Sequence, residues 1–180
     1  MASTMPGVSP NPETLIAHVP GLRRYARLLV GDVHRADDLV QDTLERACRA
    51  LERWPETSRQ RAWLLSVMHN LFVDQVRARR PLDGAAPLDD ALEATLPSRA
   101  DAARSVQLRI DIERGLMQLP LAQREVLLLV CVADCAYDEA ATILGVPVGT
   151  VMSRLSRARA QLRIELDEPP GAAPRLHRVK

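Results

Sequence analysis

At 180 residues, with 47% hydrophobic side chains and a net charge of +1, the chain is long and apolar enough to fold, which excludes a disordered polycation. Aromatics at 3% favour helices over sheets, and three cysteines without framework spacing exclude a disulfide-stapled scaffold. No apolar run reaches the ~20 residues that span a bilayer, so the expectation is a cytoplasmic protein without membrane insertion.

In chain order, residues 1–12 carry Pro6, Pro10 and Pro12 and read as a loose arm. Residues 13–80 are helical in pattern. Leu15, Ile16 and Val19 begin an apolar face that Leu22, Tyr25, Ala26 and Leu29 continue after Pro20 and Gly21. Gly31 and Asp32 mark a turn. Leu39, Val40, Thr43, Leu44, Ala47, Ala50, Leu51 and Trp54 form the next face, and Pro55 to Gln60 interrupts it. Trp63, Leu64, Val67, Met68, Leu71, Phe72 and Val76 form a third face, which ends in Arg77, Arg79 and Arg80.

Residues 81–103, with Pro81, Gly84, Pro87 and Pro97 among acidic residues, read as a flexible linker with a short helical turn near Asp89 to Ala94. A second helical region covers 104–166, with helices expected at 104–118, 121–133, 137–144 and 148–165. Residues 167–180 read as a flexible tail. The fold class is therefore all-α: two small helical domains joined by a flexible linker, in an arrangement that the sequence leaves open.

The most telling stretch is YDEAATILGVPVGTVMSRLSRARAQLR, Tyr137 to Arg163. Ala140, Ala141, Ile143 and Leu144 suit close helix packing. Gly145 supplies a turn that costs no Cβ clash, and Pro147 stops one helix while being tolerated at the start of the next. Val151, Leu155, Ala158 and Leu162 make one buried stripe, leaving Arg154, Arg157, Arg159 and Arg163 off it. A helix-turn-helix lays such a second helix in the major groove of DNA. Four arginines alone would equally suit a solvated basic helix; the Ala-Ala, Gly and Pro punctuation favours DNA binding.

Two further faces stand out. In ADDLVQDTLERA, Ala36 to Ala47, the groups Asp38, Gln41, Asp42 and Glu45 share one side of a helix. Such a face can be merely solvated, can bind metal, or can dock a basic protein surface. The metal reading fails because no Glu-x-x-His pair accompanies it and His18 and His69 are poorly placed; protein docking is preferred. In WLLSVMHNLFVDQVRARR, Asn70, Val73, Arg77 and Arg80 share a face. Arginines at a helix C-terminus complement its dipole by roughly 0.3–1 kcal/mol. That effect leaves Asn70 unexplained, so nucleic-acid contact is the preferred reading. The cysteines Cys48, Cys131 and Cys135 lack partners for a zinc site and are expected as buried thiols in a reducing compartment.

Taken together, RRYARLL, ADDLVQDTLERA and AWLLSVMHNLFVDQVRARR, followed by LPLAQREVLLLV and the helix-turn-helix, resemble bacterial extracytoplasmic-function (group IV) sigma factors. The match runs over 22–80 and 116–166, and VMHNLFVDQVR and GTVMSRLSRAR are similar to the general-stress-response subgroup. The resemblance implies a first domain that docks on core RNA polymerase through Asp37, Asp38, Leu39, Val40, Gln41 and Asp42. It implies capture of flipped −10 bases by the loop 54–61 and the helix through Asn70, with Arg77, Arg79 and Arg80 on the DNA backbone. It places Met152, Ser153, Ser156 and Arg157 at the −35 element, with Arg154 and Arg159 on phosphates or the domain edge. Met152 stands where many relatives carry a basic residue and offers apolar contact only.

The resemblance also implies promoter DNA as ligand, no catalytic chemistry and no cofactor. It further implies an anti-sigma partner, for which Leu127, Val130 and Cys131 would offer exposed apolar surface. Two rivals stand beside this reading: a stand-alone helix-turn-helix regulator, and a sigma mimic that titrates a regulator and has lost its basic faces.

Overall fold

The structure, a computed structural model, describes residues 12–50, 59–79 and 100–167. Residues 1–11 of the expected arm, most of the loop 54–61, residues 81–99, Arg80 and the tail beyond 167 lie outside the described residues, as does the side chain of Arg79, while Pro12, expected in the arm, opens the first helix. Every regular element among the described residues is a helix: α1 (Pro12–Val30), α2 (Val33–Arg49), α3 (Gln60–Arg79), α4 (Ala100–Gln118), α5 (Leu121–Cys131), α6 (Tyr137–Leu144) and α7 (Val148–Asp167).

The first half is built from α1, α2 and α3. Helix α1 runs unbroken through Pro20. A mid-helix proline forfeits one backbone hydrogen bond, and Pro20 is exposed, where water can serve the freed carbonyl. Helix α2 starts because Asp32, in extended backbone, accepts the Arg35 amide at 2.7 Å and satisfies one of the unpaired N–H groups of the first turn. Its apolar side carries the fully buried Ala36, Leu39 and Ala47. Thr43 lies buried among them and donates its hydroxyl to the Leu39 carbonyl at 2.7 Å, so no polar atom is stranded there. Leu64, Leu65, Met68 and Phe72 of α3 close this core against Leu22, Tyr25, Ala26 and Leu29 of α1. Ile16, expected on the apolar face, is 66% exposed.

The second half is organised around α5, whose residues Glu125 to Leu129 are all buried. Helices α6 and α7 pack on it and on each other, and α4 packs on α7. Helix α4 begins at Ala100 rather than 104, because the stretch Ala100–Ala103 is three-quarters alanine and extends the helix into the expected linker. Helix α5 stops at Cys131 rather than 133, since Asp134 takes a left-handed conformation (φ 49°) that turns the chain. Glu139 returns to accept the Ala136 amide at 3.0 Å and so caps the start of α6. At its end Gly145 is left-handed (φ 63°), and Val146 N–H bonds the Ala141 carbonyl at 3.0 Å. The Pro147 carbonyl then accepts from Thr150 and Val151 to start α7.

The two halves touch. Helix α1 packs against α4 and α5, and α3 packs against α6. Arg124 donates to the Leu29 carbonyl at 3.1 Å, capping the C-terminal end of α1 from the other half. Arg61 donates to the Asp134 carbonyl at 2.8 Å. Gly31, left-handed at φ 78°, lies so close to the Met117 thioether that a Cβ would fall 2.6 Å from the sulfur.

Candidate nucleic-acid interface

Helix α7 turns its buried stripe, Val151, Leu155 and Ala158, onto α5 and α6, which leaves the opposite side in solvent. That side presents Met152 (53% exposed), Ser153, Ser156, Arg157 and Arg159, with Arg154 half-buried beside them. These groups suit the two tasks of a major-groove helix: guanidinium forks for guanine edges and phosphates, and short hydroxyls for bases or backbone. The Arg157 side chain folds back along the helix, its Nε donating to the Ser153 carbonyl and its Nη2 to the Ser153 hydroxyl, both at 3.3 Å. Ser153 in turn donates to the Thr150 carbonyl at 3.1 Å. Arg159 reaches the Cys131 sulfur at 3.6 Å, a contact that strengthens its hold on its proton.

On α3, Asn70 and Arg77 are exposed and Val73 is half-buried between them. Arg79 belongs to the last turn of the helix, and Arg80 lies outside the described residues. On α2, Asp38, Gln41, Asp42 and Glu45 all face solvent, as their spacing predicts. Gln41 donates to Glu45 at 3.2 Å, and Gln75 of α3 donates to Asp42 at 3.4 Å. Asp37 is half-buried and held by Arg23 at 3.4 Å and Arg27 at 3.9 Å, both on α1. Leu39 is fully buried, so it supports this helix from within and meets no partner. Val40 lines an open cleft between α1 and α2 together with Val19, Leu44, Asp38 and Glu45. Arg23 and Arg49 line it too, so the cleft sets both signs of charge around its apolar residues.

Two expectations need correction. Leu127 is buried at 6% exposure, because α5 is enclosed on nearly every side, so it is no partner surface; Val130 is half-buried and Cys131 exposed. The cysteines are not all buried: Cys48 and Cys131 are exposed and Cys135 alone is enclosed. Cys131 ends α5 and Cys48 sits on the outer side of α2, where neither thiol meets the core. Burial, with Glu139 and Asp134 beside it, pushes the Cys135 thiol up to about 11. Among the described residues no His, Cys, Asp and Glu cluster could hold a metal, and no helix is long and apolar enough to cross a membrane.

The sequence reasoning missed a polar cluster between the halves. His69 Nδ1 lies 3.2 Å from Glu125 Oε1, with those side chains 12% and 10% exposed. The Tyr25 hydroxyl is fully buried beside them without a hydrogen-bond partner. Burial, reinforced by the nearby Glu125 and Cys135, raises the Tyr25 phenol well above its usual value. Burial draws the Arg124 guanidinium down, and Glu125 opposes that. The only sequence signal was negative: a tyrosine, a histidine and a glutamate occupying otherwise apolar helix faces.

Comparison with known proteins matches each half of the chain to a family. The family described as the Sigma2 domain of PhyR matches residues 15–69, and Sigma-70 region 4 matches 109–162. The ECF RNA polymerase sigma factor EcfG of Rhodopseudomonas palustris is 38% identical over 151 residues, covering 83% of this chain and 81% of the relative. The sigma factor RpoE of Bartonella quintana, solved in complex with the anti-sigma factor NepR, is 32% identical with a TM-score of 0.71, covering 86% of this chain and 94% of that one. CnrH, solved in complex with the cytosolic domain of CnrY, is 31% identical with a TM-score of 0.61, covering 86% of each chain. With a sigma-factor family matched in each half and 38% identity to an ECF sigma factor over most of both chains, the chain belongs to the extracytoplasmic-function family of RNA polymerase sigma factors.

Proposed function

We propose that this chain directs core RNA polymerase to a set of stress-response promoters in the cytoplasm, and that an anti-sigma protein holds it in check. The observation that carries the reading is the division of labour between exposed faces. Asp38, Gln41 and Asp42 offer an acidic docking surface, and Asn70 and Arg77 a strand-capturing one. Met152, Ser153, Ser156 and Arg157 offer a duplex-reading one. Unpairing the −10 element costs a few kcal/mol per exposed base, which base-capturing contacts must offset. Neither DNA surface alone supplies tight, specific binding; polymerase raises the effective concentration of each for its own element. The chemistry stays with polymerase, and this chain contributes position.

The stress-response assignment is supported by the likeness to EcfG and to the PhyR Sigma2 domain. The likeness to RpoE, which was solved with the anti-sigma factor NepR, supports an anti-sigma partner. A sigma mimic should have lost its basic faces, whereas Arg77, Arg157 and Arg159 stand exposed.

The test is run-off transcription with purified core polymerase, paired with gel shifts in its presence and absence. Promoter-specific transcripts and polymerase-dependent shifts are expected; a tight shift on duplex DNA without polymerase would instead favour a stand-alone regulator. Reversing charge at Asp38 and Asp42 together should abolish pull-down of core polymerase while leaving the helical circular-dichroism spectrum intact. Undiminished pull-down would refute the docking face.

A further inference from the structure

The exposed side of α7 is not uniform. Val148, Met152, Ser156 and Arg159 follow one another at spacings of four, four and three, which sets them in one line along the helix. The N-terminal part of that line is apolar: Val148 is 41% and Met152 53% exposed, one turn apart. Its C-terminal end is cationic and anchored, with Arg159 against the Cys131 sulfur. Beside it runs a second, polar line in which Arg157 is folded onto Ser153. No acidic residue lies between Pro147 and Ile164, so an apolar tip is set on a cationic helix. One exposed apolar side chain is ordinary. Two adjoining ones on a face rich in arginine ask for a partner that is apolar at one spot and anionic around it.

Gly149 stands beside this tip in ordinary helical backbone. A Cβ there would meet nothing within 4 Å, so the packing of the chain does not call for glycine, which weakens a helix relative to alanine. What the missing side chain gives is clearance on the outward side.

DNA is a partner of that description. Phosphates supply the anionic surround, and the only apolar group that base pairs display in the major groove is the C5 methyl of thymine. A recognition helix brings its N-terminal residues to the base edges, and Val148, Gly149 and Met152 all fall within the first two turns of α7. A thioether donates no hydrogen bond and accepts only weakly. Met152 therefore discriminates by apolar contact, for which its unbranched, adaptable side chain is suited.

We propose that Met152, backed by Val148 and given room by Gly149, selects an A·T pair in the −35 element by packing on the thymine methyl, and so determines part of this chain's promoter specificity. This deepens the reading of α7 as the −35 helix, on which it rests, by naming the chemical group that is read.

Replacing thymine by deoxyuridine removes that methyl and leaves base pairing intact, so the wild-type protein can be tested unchanged. Holoenzyme reconstituted from the full chain and core polymerase is offered the promoter mapped by run-off transcription, with each thymine of the −35 element, on either strand, replaced singly. For the wild-type chain one replacement should weaken binding roughly three- to fivefold, the loss expected for one uncovered methyl. Met152→Ala holoenzyme should bind that same duplex as well as the unmodified one. Met152 is exposed and alanine is the stronger helix former, so the variant keeps α7 intact. Wild-type binding indifferent to every deoxyuridine, or a −35 element without thymine, overturns the proposal. So does a methyl dependence that survives in Met152→Ala, because another residue would then be reading it. Failure of wild-type holoenzyme to bind any unmodified promoter would instead count against the sigma reading. The same scan on duplex selected by the chain without polymerase then decides the role of Met152, and a chain that binds no duplex overturns both.

Discussion

Arg157 shows how much a single exposed side chain can be asked to do. Its guanidinium is parked on Ser153, so the two residues form a pair, and Ser153 sets the direction from which Arg157 would have to swing to reach DNA. Replacing Arg157 by Ala should weaken binding to the −35 duplex by ~1–3 kcal/mol and relax preference at one base pair if it reads a base. An equal loss on all sequences, measured by fluorescence anisotropy over a set of point-changed duplexes, would reassign it to phosphate. The exposure of Arg157 was legible because a buried stripe at helical spacing leaves no other side for it to face. The exposure of Cys48 and Cys131 was not legible, because a thiol's general preference for the interior says nothing about which side of its helix it occupies. The meeting of His69 with Glu125 was hidden for a different reason: no local pattern links residues in different halves of the chain.

At the scale of elements, helix ends carried the clearest messages. Gly145 and Pro147 fixed the corner of the helix-turn-helix, and the observed α6 matches its expected limits. Gly145 has open space around the position of a Cβ, so its requirement is purely conformational. Gly145→Val should therefore cost ~1–2 kcal/mol from left-handed strain alone, visible as a lowered Tm without a change in the far-ultraviolet spectrum. A cost near zero would mean the corner relaxes to another turn. The expectation failed where a helix is buried on most sides. Helix α5 reads LAQREVLLLV with no polar side to orient it, so Leu127 could be assigned to surface or core with equal ease. Pro20 stands inside α1 without breaking it: the proline is exposed, and tertiary packing of Leu22, Tyr25 and Leu29 keeps the helix whole, as the apolar face continuing past it had implied.

For the whole molecule, two groups buried at the junction, Tyr25 and Cys135, make stability sensitive to alkali. Both are neutral when protonated, and both hold their protons more tightly when folded than when unfolded. The stabilisation is therefore complete below the unfolded values and lost as pH rises. For Cys135 the loss runs from about 9 to about 11. Thermal melts should show Tm falling across that window, and Cys135→Ala should flatten the lower part of the fall while leaving the Tyr25 contribution. A Tm independent of pH up to 11 would contradict the enclosure of both groups. The helices of each half were readable from apolar periodicity, whereas the packing of one half on the other was not. Packing between halves depends on a few side chains scattered over α1, α3 and α5, none of which alters the periodicity of its own helix.

The Arg124 guanidinium on the Leu29 carbonyl gives the first half an end-piece that it does not own. The last turn of α1 therefore leans on a side chain 95 positions further along the sequence, and Arg124→Ala should fray it, read as faster amide exchange confined to Leu29, Val30 and Gly31.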